Sequence, residues 1–180
     1  NIVQKCFSDS VDIVLDPTFL YDFSAFEKKC FELNFILVYS TGFSLELQDR
    51  AVKYARNKGK RLISIGYADS FCDVNVIGIG PFEFIGYFKA ASEVITNTLH
   101  GTIFATKYNK PLAIINDLYR TNKLASIIST LNLKSQIVHE NGEGLEKVLG
   151  NTIDYQYVNK QILVDSEKSV SFLQNALKDI

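Results

Sequence analysis

The sequence predicts an α/β fold, a Rossmann-like doubly wound parallel sheet in a single domain over residues 1–180. Three observations carry that expectation. Strand and helix patterns alternate along the chain, the order that builds a sheet with helices on its faces. The strand segments FILVY, RLISI, EVIT and PLAII are apolar nearly throughout instead of alternating, as strands covered on both sides require. The strand-to-strand connections run through helical stretches, which makes them right-handed crossovers.

The elements follow in order. VDIVL (11–15) has a strand composition, and Asp16-Pro17 after it breaks the strand into a DPTF turn. FSAFEKKCFEL (23–33) places Phe23, Phe26, Cys30 and Leu33 on one helical face, with Ser24 as the N-cap. FILVY (35–39) is a continuous strand. STGFS then opens a helix over 44–58 that Gly59 closes as C′. RLISI (61–65) is the next strand and VNVIGI (74–79) a weaker one. GPFEFIGYFKAA (80–91) is a helix with Pro81 at its first position. EVIT (93–96), a helix over 98–109, and PLAII (111–115) come next. A helix over 119–133 carries Leu124, Ile127, Ile128 and Leu131 at core spacing. The tail closes with a long amphipathic helix inside 154–180, expected to pack on the domain or on a partner domain. The opening NIVQKCF, with no methionine anywhere in the chain, suggests the C-terminal part of a larger protein whose N-terminal domain is missing here.

Composition excludes several classes. The net charge is −1 and no dense Lys/Arg run is present, so a nucleic-acid surface is not expected. The apolar runs at 93–96 and 112–115 are far shorter than the ~20 residues that span a bilayer. Cys6, Cys30 and Cys72 are odd in number and irregularly spaced, which is neither a disulfide framework nor a zinc site. Reduced, buried thiols in a cytoplasmic protein are the expectation.

Ligands of doubly wound sheets sit outside the carboxyl ends of the strands. That rule selects four loops: Asp16–Thr18, Ser40–Ser44, Gly66–Ser70 and Asn97–Gly101. In the last, ITNTLHGTIFA (95–105) joins a buried strand to a helix through His100, one of two histidines. Thr98, Leu99, His100 and Gly101 would form a helix N-terminus, whose free N–H groups and dipole favour a phosphate or carboxylate. Gly101 would let a ligand approach the backbone. The plain alternative makes Thr98 a cap and His100 a surface residue. STGFS offers the Ser40 and Ser44 hydroxyls and Gly42 at a second junction, although it is neither GxGxxG nor a P-loop. Arg120 and Lys123 stand at the start of a helix, where the dipole disfavours cations, so Arg120 is expected to face an anion or Asp117. His139 sits in a polar loop. From the residues alone, the chain is an α/β domain that binds an anionic small molecule.

The segments VDIVLDPTFL, FILVYSTG, and GPFEFIGYFKAASEVITNTLHGTIFATKYNKPLAIIN, in that order, resemble the C-terminal half of polysaccharide pyruvyl transferases. The most specific stretch is strand, Thr98-Leu99-His100-Gly101, helix, Asn109-Lys110-Pro111. Asn97 stands where many members have Asp, and Thr98 where many have Ser. The resemblance implies the donor-binding domain of a two-domain, GT-B-like enzyme. Such an enzyme transfers the enolpyruvyl group of phosphoenolpyruvate to two hydroxyls of a saccharide acceptor, forming a pyruvate ketal in cell-surface polysaccharide, with no metal or other cofactor. It implies His100 as the acid/base or phosphate-contacting residue. Thr98, Leu99, Gly101, Thr102, Arg120, Ser40 and Gly42 are then expected around the donor, and the fragment alone is expected to be inactive. A cytoplasmic protein, peripheral to the membrane where polysaccharide is assembled, fits the same picture. Two alternatives stand beside it: a GT-B glycosyltransferase domain taking a sugar nucleotide, for which Glu83 is the positional candidate for the ribose, and a non-catalytic domain of the same fold.

Overall fold

The computed structural model describes residues 13–30, 32–115 and 121–178. Its centre is a six-stranded sheet, parallel at every pairing: β1 (Phe35–Tyr39), β2 (Arg61–Ile65), β3 (Val74–Val76), β4 (Glu93–Thr96), β5 (Leu112–Ile115) and β6 (Ile137–Val138). The strand order is β3-β2-β1-β4-β5-β6, so the chain winds outward from β1 to one edge and then from β4 to the other. The reversal between β1 and β4 is the topological switch point, where open α/β sheets carry their ligands.

Two layers of helices cover the sheet because alternate strand residues face opposite ways. On one face, Ile36, Val38, Leu62, Ile95 and Ala113 pack under α2 (Leu45–Asn57) and α6 (Leu145–Gly150). On the other, Phe35, Leu37, Ile63, Val94 and Leu112 pack under α3 (Pro81–Ala90), α4 (Leu99–Lys107) and α5 (Thr121–Thr130). Short α1 (Pro17–Leu20) contributes Phe19 to this second core, and long α7 (Tyr155–Leu177) contributes Val158. Complete burial of a Leu, Ile or Phe side chain stabilises by about 1.5–3 kcal/mol, so these two cores dominate the fold's energetics.

The helix ends follow the expected chemistry. The Ser44 hydroxyl accepts from Leu47 N–H at 3.2 Å and caps α2, which ends where Gly59 turns left-handed at φ +61°. Asn109 at φ +54° ends α4, Lys110 N–H reaches back to the Ala105 carbonyl at 2.9 Å, and Pro111 opens the approach to β5. The Asn-Lys-Pro triplet is therefore a helix stop. α7 begins four residues earlier than the amphipathic tail pattern (159–178) and lies on the domain through Tyr155, Val158 and Ile162. No helix among the described residues is long and apolar enough to cross a membrane.

Two expected elements are absent. Of VDIVL, residues 11 and 12 lie outside the described residues, and Ile13–Leu15 form no strand. Both sheet edges are already taken by β3 and β6, and Leu15 N–H donates instead to the Ser169 hydroxyl on α7 at 2.9 Å. The helix over 23–33 is also not formed. The Asp22 carboxylate accepts from Ser24 N–H at 2.9 Å and from its hydroxyl at 3.0 Å, making a local turn that competes with a helix. The chain then runs across α3, with Lys28 N–H donating to the Phe82 carbonyl at 3.3 Å. Gly86 permits this crossing, since a Cβ there would stand 2.0 Å from the Lys28 carbonyl oxygen. The residues that read as one helical face are dispersed: Phe26 stacks on Phe82 at 5.2 Å, Phe23 approaches Phe104 at 6.2 Å, and Leu33 is exposed.

Candidate functional site

The four loops picked out by the carboxyl-end rule converge in pairs at the switch point. β1 and β4 end side by side, with Tyr39 opposite Thr96 in register. The Thr96 hydroxyl donates to the Tyr39 carbonyl at 2.6 Å and accepts from Thr98 N–H at 3.1 Å, which locks the strand end to the first residue of the turn. Asn97, 3% exposed, then crosses to the β1–α2 loop. Its side-chain oxygen accepts from Thr41 N–H at 3.2 Å, and its amide nitrogen donates to the Gly42 carbonyl at 3.1 Å. An amide fits both contacts at once, whereas a carboxylate would set oxygen against the Gly42 carbonyl.

α4 starts at this junction. The Thr98 hydroxyl accepts from Gly101 N–H at 3.0 Å, so that amide is already occupied by the cap. Among the described residues no group accepts from Leu99 N–H or His100 N–H, and these two amides form the open part of the helix end. Gly101 itself faces inward. A Cβ on it would meet Thr96 Oγ1 at 2.1 Å and Thr98 Oγ1 at 2.7 Å, so the glycine admits the two threonines, not a ligand. Thr102 is fully buried and its hydroxyl donates to the Thr98 carbonyl at 3.0 Å. Both residues hold the turn's shape from within.

His100 points outward and is half-exposed, with Nε2 3.7 Å from Asp16 Oδ2. The other oxygen of Asp16 is held by Thr18, through its N–H at 3.0 Å and its hydroxyl at 2.6 Å. One carboxylate oxygen thus caps α1 while the second faces the imidazole. Lys107, at the far end of α4, donates to the Thr18 carbonyl at 2.8 Å and to the Tyr21 carbonyl, with its ammonium 4.8 Å from the centre of the Phe23 ring. Burial holds the Lys107 pKa below the usual lysine value. This clamp fixes α1 along α4 and with it the Asp16–His100 approach. Beside the pair opens a cleft of about 380 Å³ walled in part by Leu15, Asp16, Phe19, Leu99 and Ile103, with Lys168 of α7 at its border.

The other expected residues are placed as follows. Ser40 is buried, its hydroxyl donating to Asp69 Oδ2 at 3.1 Å and accepting from Gly42 N–H at 3.3 Å. Gly42, at φ +115°, makes the turn that lets its carbonyl meet Asn97. Arg120 and Asp117 lie outside the described residues. His139 is exposed in a turn closed by a 2.8 Å bond from Gly142 N–H to its carbonyl. Glu83, the candidate for a ribose, is ion-paired with Lys28 at 2.5 Å and serves the crossing segment. Cys30 and Cys72 are free thiols, and burial pushes the Cys72 thiol up to about 12. Among the described residues no group of three or more His, Cys, Asp or Glu is placed to hold a metal ion.

Sequence reasoning paired none of these side chains with His100. Asp16 was legible only as a turn former after a strand end. Its meeting with a residue of the fourth selected loop depends on how α1 lies against α4. Asp69 was legible only as part of the Gly66–Ser70 loop; burial raises its pKa above the usual aspartate value and the Ser40 hydroxyl partly offsets this.

The site is therefore an open helix end beside an imidazole–carboxylate pair, at the switch point of a doubly wound sheet. No curated protein matches the chain. The family model described as polysaccharide pyruvyl transferase matches residues 3–117, a span that contains Asp16, the β1–α2 loop, Asn97 and the whole of the His100 turn. With more than half of the sequence inside that match, the chain belongs to the polysaccharide pyruvyl transferase family.

Proposed function

We propose that this chain carries the phosphoenolpyruvate-handling turn of an enzyme that forms cyclic pyruvate ketals on a saccharide diol, as the donor half of a GT-B-like enzyme. The observation that carries the reading is the pairing of His100 with Asp16 beside the two open amides of Leu99 and His100. A helix N-terminus favours an anion, and phosphoenolpyruvate brings both a phosphate and a carboxylate. The imidazole lies one residue along from the Leu99 amide, within reach of a donor held there.

The chemistry needs three proton movements at that place. A proton delivered to the methylene carbon of phosphoenolpyruvate converts its double bond into a methyl group and leaves an oxocarbenium-like centre on the adjacent carbon. A sugar hydroxyl attacks that carbon and releases its proton. The carbon–oxygen bond to phosphate then breaks, inorganic phosphate departs, and the second hydroxyl closes the ring with loss of its proton. Diol and phosphoenolpyruvate thus become ketal and phosphate, with no change of oxidation state and no other cofactor. His100 is the group suited to carry one of these protons, with Asp16 Oδ2 facing its Nε2 at 3.7 Å. The free thiols Cys30 and Cys72 support a reducing, cytoplasmic setting beside the membrane where polysaccharide is assembled.

The test is phosphate release from phosphoenolpyruvate by the full-length two-domain enzyme in the presence of saccharide acceptors, with the ketal identified by mass spectrometry. His100→Ala is expected to lower turnover by at least about a hundredfold with folding intact, since a positioned acid/base contributes 10²–10⁴. Normal turnover by that variant would remove His100 from the mechanism. A thermal shift with UDP- or GDP-sugars and none with phosphoenolpyruvate would favour the sugar-nucleotide alternative.

A further inference from the structure

At the carboxyl ends of β1 and β2, two tyrosines that the donor chemistry does not use stack on one another. Tyr39 and Tyr67 have ring centres 6.1 Å apart and an interplanar angle of 27°. Tyr39 is the last residue of β1, in register with Thr96, and its carbonyl takes the Thr96 hydroxyl. It packs against the same core as Leu99 and therefore stands on the face of the sheet that bears α4. Only Asn97 and Thr98 separate Thr96 from the open amides of Leu99 and His100. β1 neighbours β4, so the aromatic pair stands at the strand end beside the one that leads into the donor turn, and neither ring carries a positive charge.

The pair is built, not incidental. Phe84 and Phe88 of α3 meet the Tyr39 ring edge-to-face at 5.0 and 6.2 Å and hold its plane. Tyr67 is carried on a bend at Gly66, where φ is +78° and the N–H donates to the Val76 carbonyl at 2.9 Å. The Ser64 hydroxyl fixes the Tyr67 carbonyl at 2.9 Å. A Cβ at Gly66 would already touch the Tyr39 ring at 3.4 Å, so any longer side chain there would crowd it. Burial of Tyr39, with a smaller contribution from Tyr67, raises its phenol pKa above the usual tyrosine value. Tyr67 remains 49% exposed. The exposed Tyr67 ring is thus supported from behind by Tyr39.

Resting on the pyruvyl-transfer reading, we infer that the Tyr39–Tyr67 pair is the acceptor subsite, a platform on which a hexopyranose ring stacks through its C–H face. Aromatic faces suit the apolar side of a sugar, and neutral phenols at the rim can hydrogen-bond its hydroxyls without competing for the anionic donor. The position places a stacked diol beside the turn that would hold the enolpyruvyl carbon. Pyruvyl transfer then occurs between two neighbouring strand ends of one sheet.

Saturation-transfer NMR with methyl β-D-galactopyranoside and methyl α-D-mannopyranoside tests this on the wild-type protein and on Tyr67→Ala and Tyr67→Phe. Transfer is expected to the ring protons of one sugar face in the wild type. It should be retained in Tyr67→Phe and weakened roughly tenfold in Tyr67→Ala, the loss of about one aromatic contact. Melting curves should be unchanged in Tyr67→Phe and shift down by only a few degrees in Tyr67→Ala, which loses one half-exposed aromatic pair. Absence of transfer to both glycosides in the wild type, or equal transfer in Tyr67→Ala, overturns the subsite. So does a Tyr67-dependent signal from uridine 5′-monophosphate with none from the glycosides. In turnover, Tyr67→Ala should raise KM for the acceptor and leave KM for phosphoenolpyruvate in place. Tyr67-dependent glycoside binding by a full-length two-domain enzyme that consumes no phosphoenolpyruvate would retain the saccharide subsite and defeat the pyruvyl-transfer reading.

Discussion

Replacing Gly101 by alanine is the sharpest probe of the turn, because two rules give opposite signs. Inside a helix, Gly→Ala normally stabilises by about 1 kcal/mol. Here the added methyl would enter a space already held by Thr96 Oγ1 at 2.1 Å, Thr98 Oγ1 at 2.7 Å and Thr96 Cβ at 2.8 Å. Two of these atoms belong to a strand residue with all of its surface buried, so neither can swing into solvent. Moving the Thr96 hydroxyl breaks its 2.6 Å bond to Tyr39 and its 3.1 Å bond from Thr98 N–H. Each such bond contributes about 1 kcal/mol net. Overpacking a dense core adds a further cost of about 1–3 kcal/mol. The contact terms outweigh helix propensity, and the variant should lose about 3 kcal/mol. For a domain of this size that lowers Tm by roughly 10 °C. Urea and thermal unfolding of both proteins measure it, with Thr96→Ala and the double variant completing the cycle. Because the closest contact is with the Thr96 hydroxyl, the double variant should cost less than the sum of the two singles. A neutral or stabilising Gly101→Ala would show that the glycine faces open space, and the packing argument for the motif would fail.

Other expectations follow from the same geometry. Asp16→Asn keeps an oxygen to cap Thr18 and removes the charge facing His100; kcat should fall roughly 10–100-fold with KM for phosphoenolpyruvate unchanged, and an unaltered kcat would deny Asp16 a part in the proton transfer. Lys60 pairs with Oε1 of the buried Glu93 at the opposite end of β4, and Glu93 Oε2 has no hydrogen-bond partner among the described residues. Lys60→Met should therefore destabilise by about 3 kcal/mol, with Lys60→Met/Glu93→Gln recovering much of the loss in denaturant melts. Asp69 has its folded-state pKa raised by burial, so the folded protein holds that proton more tightly than the unfolded chain does. Stability should fall as pH rises from the unfolded aspartate pKa through the folded one, and Asp69→Asn should remove that part of the slope. Parallel stability–pH curves for the two proteins would contradict it.

Much of the fold was legible locally. Strands buried on both faces must be apolar on both faces, so FILVY and PLAII declare their place without reference to anything distant. Caps act within three or four residues, which is why Ser44, Gly59, Thr98 and Asn109 bound their helices as written in the chain. The 23–33 segment shows the limit of periodicity. Its apolar spacing suits a helix, but Phe26, Phe23 and Cys30 find separate partners once Gly86 lets the chain lie across α3.

The sequence by itself determined the parallel sheet, its helical crossovers and the junction at which His100 stands, because each rests on patterns a few residues long. The tertiary structure alone decided which side chains meet there. Asp16 reaches His100 because Lys107 clamps α1 to α4, and Asn97 joins two loops because β1 and β4 are neighbours at the point where the winding reverses. It also turned Gly101 and Thr102 inward, since a turn packed against a strand end fills its own interior before it presents anything to a ligand.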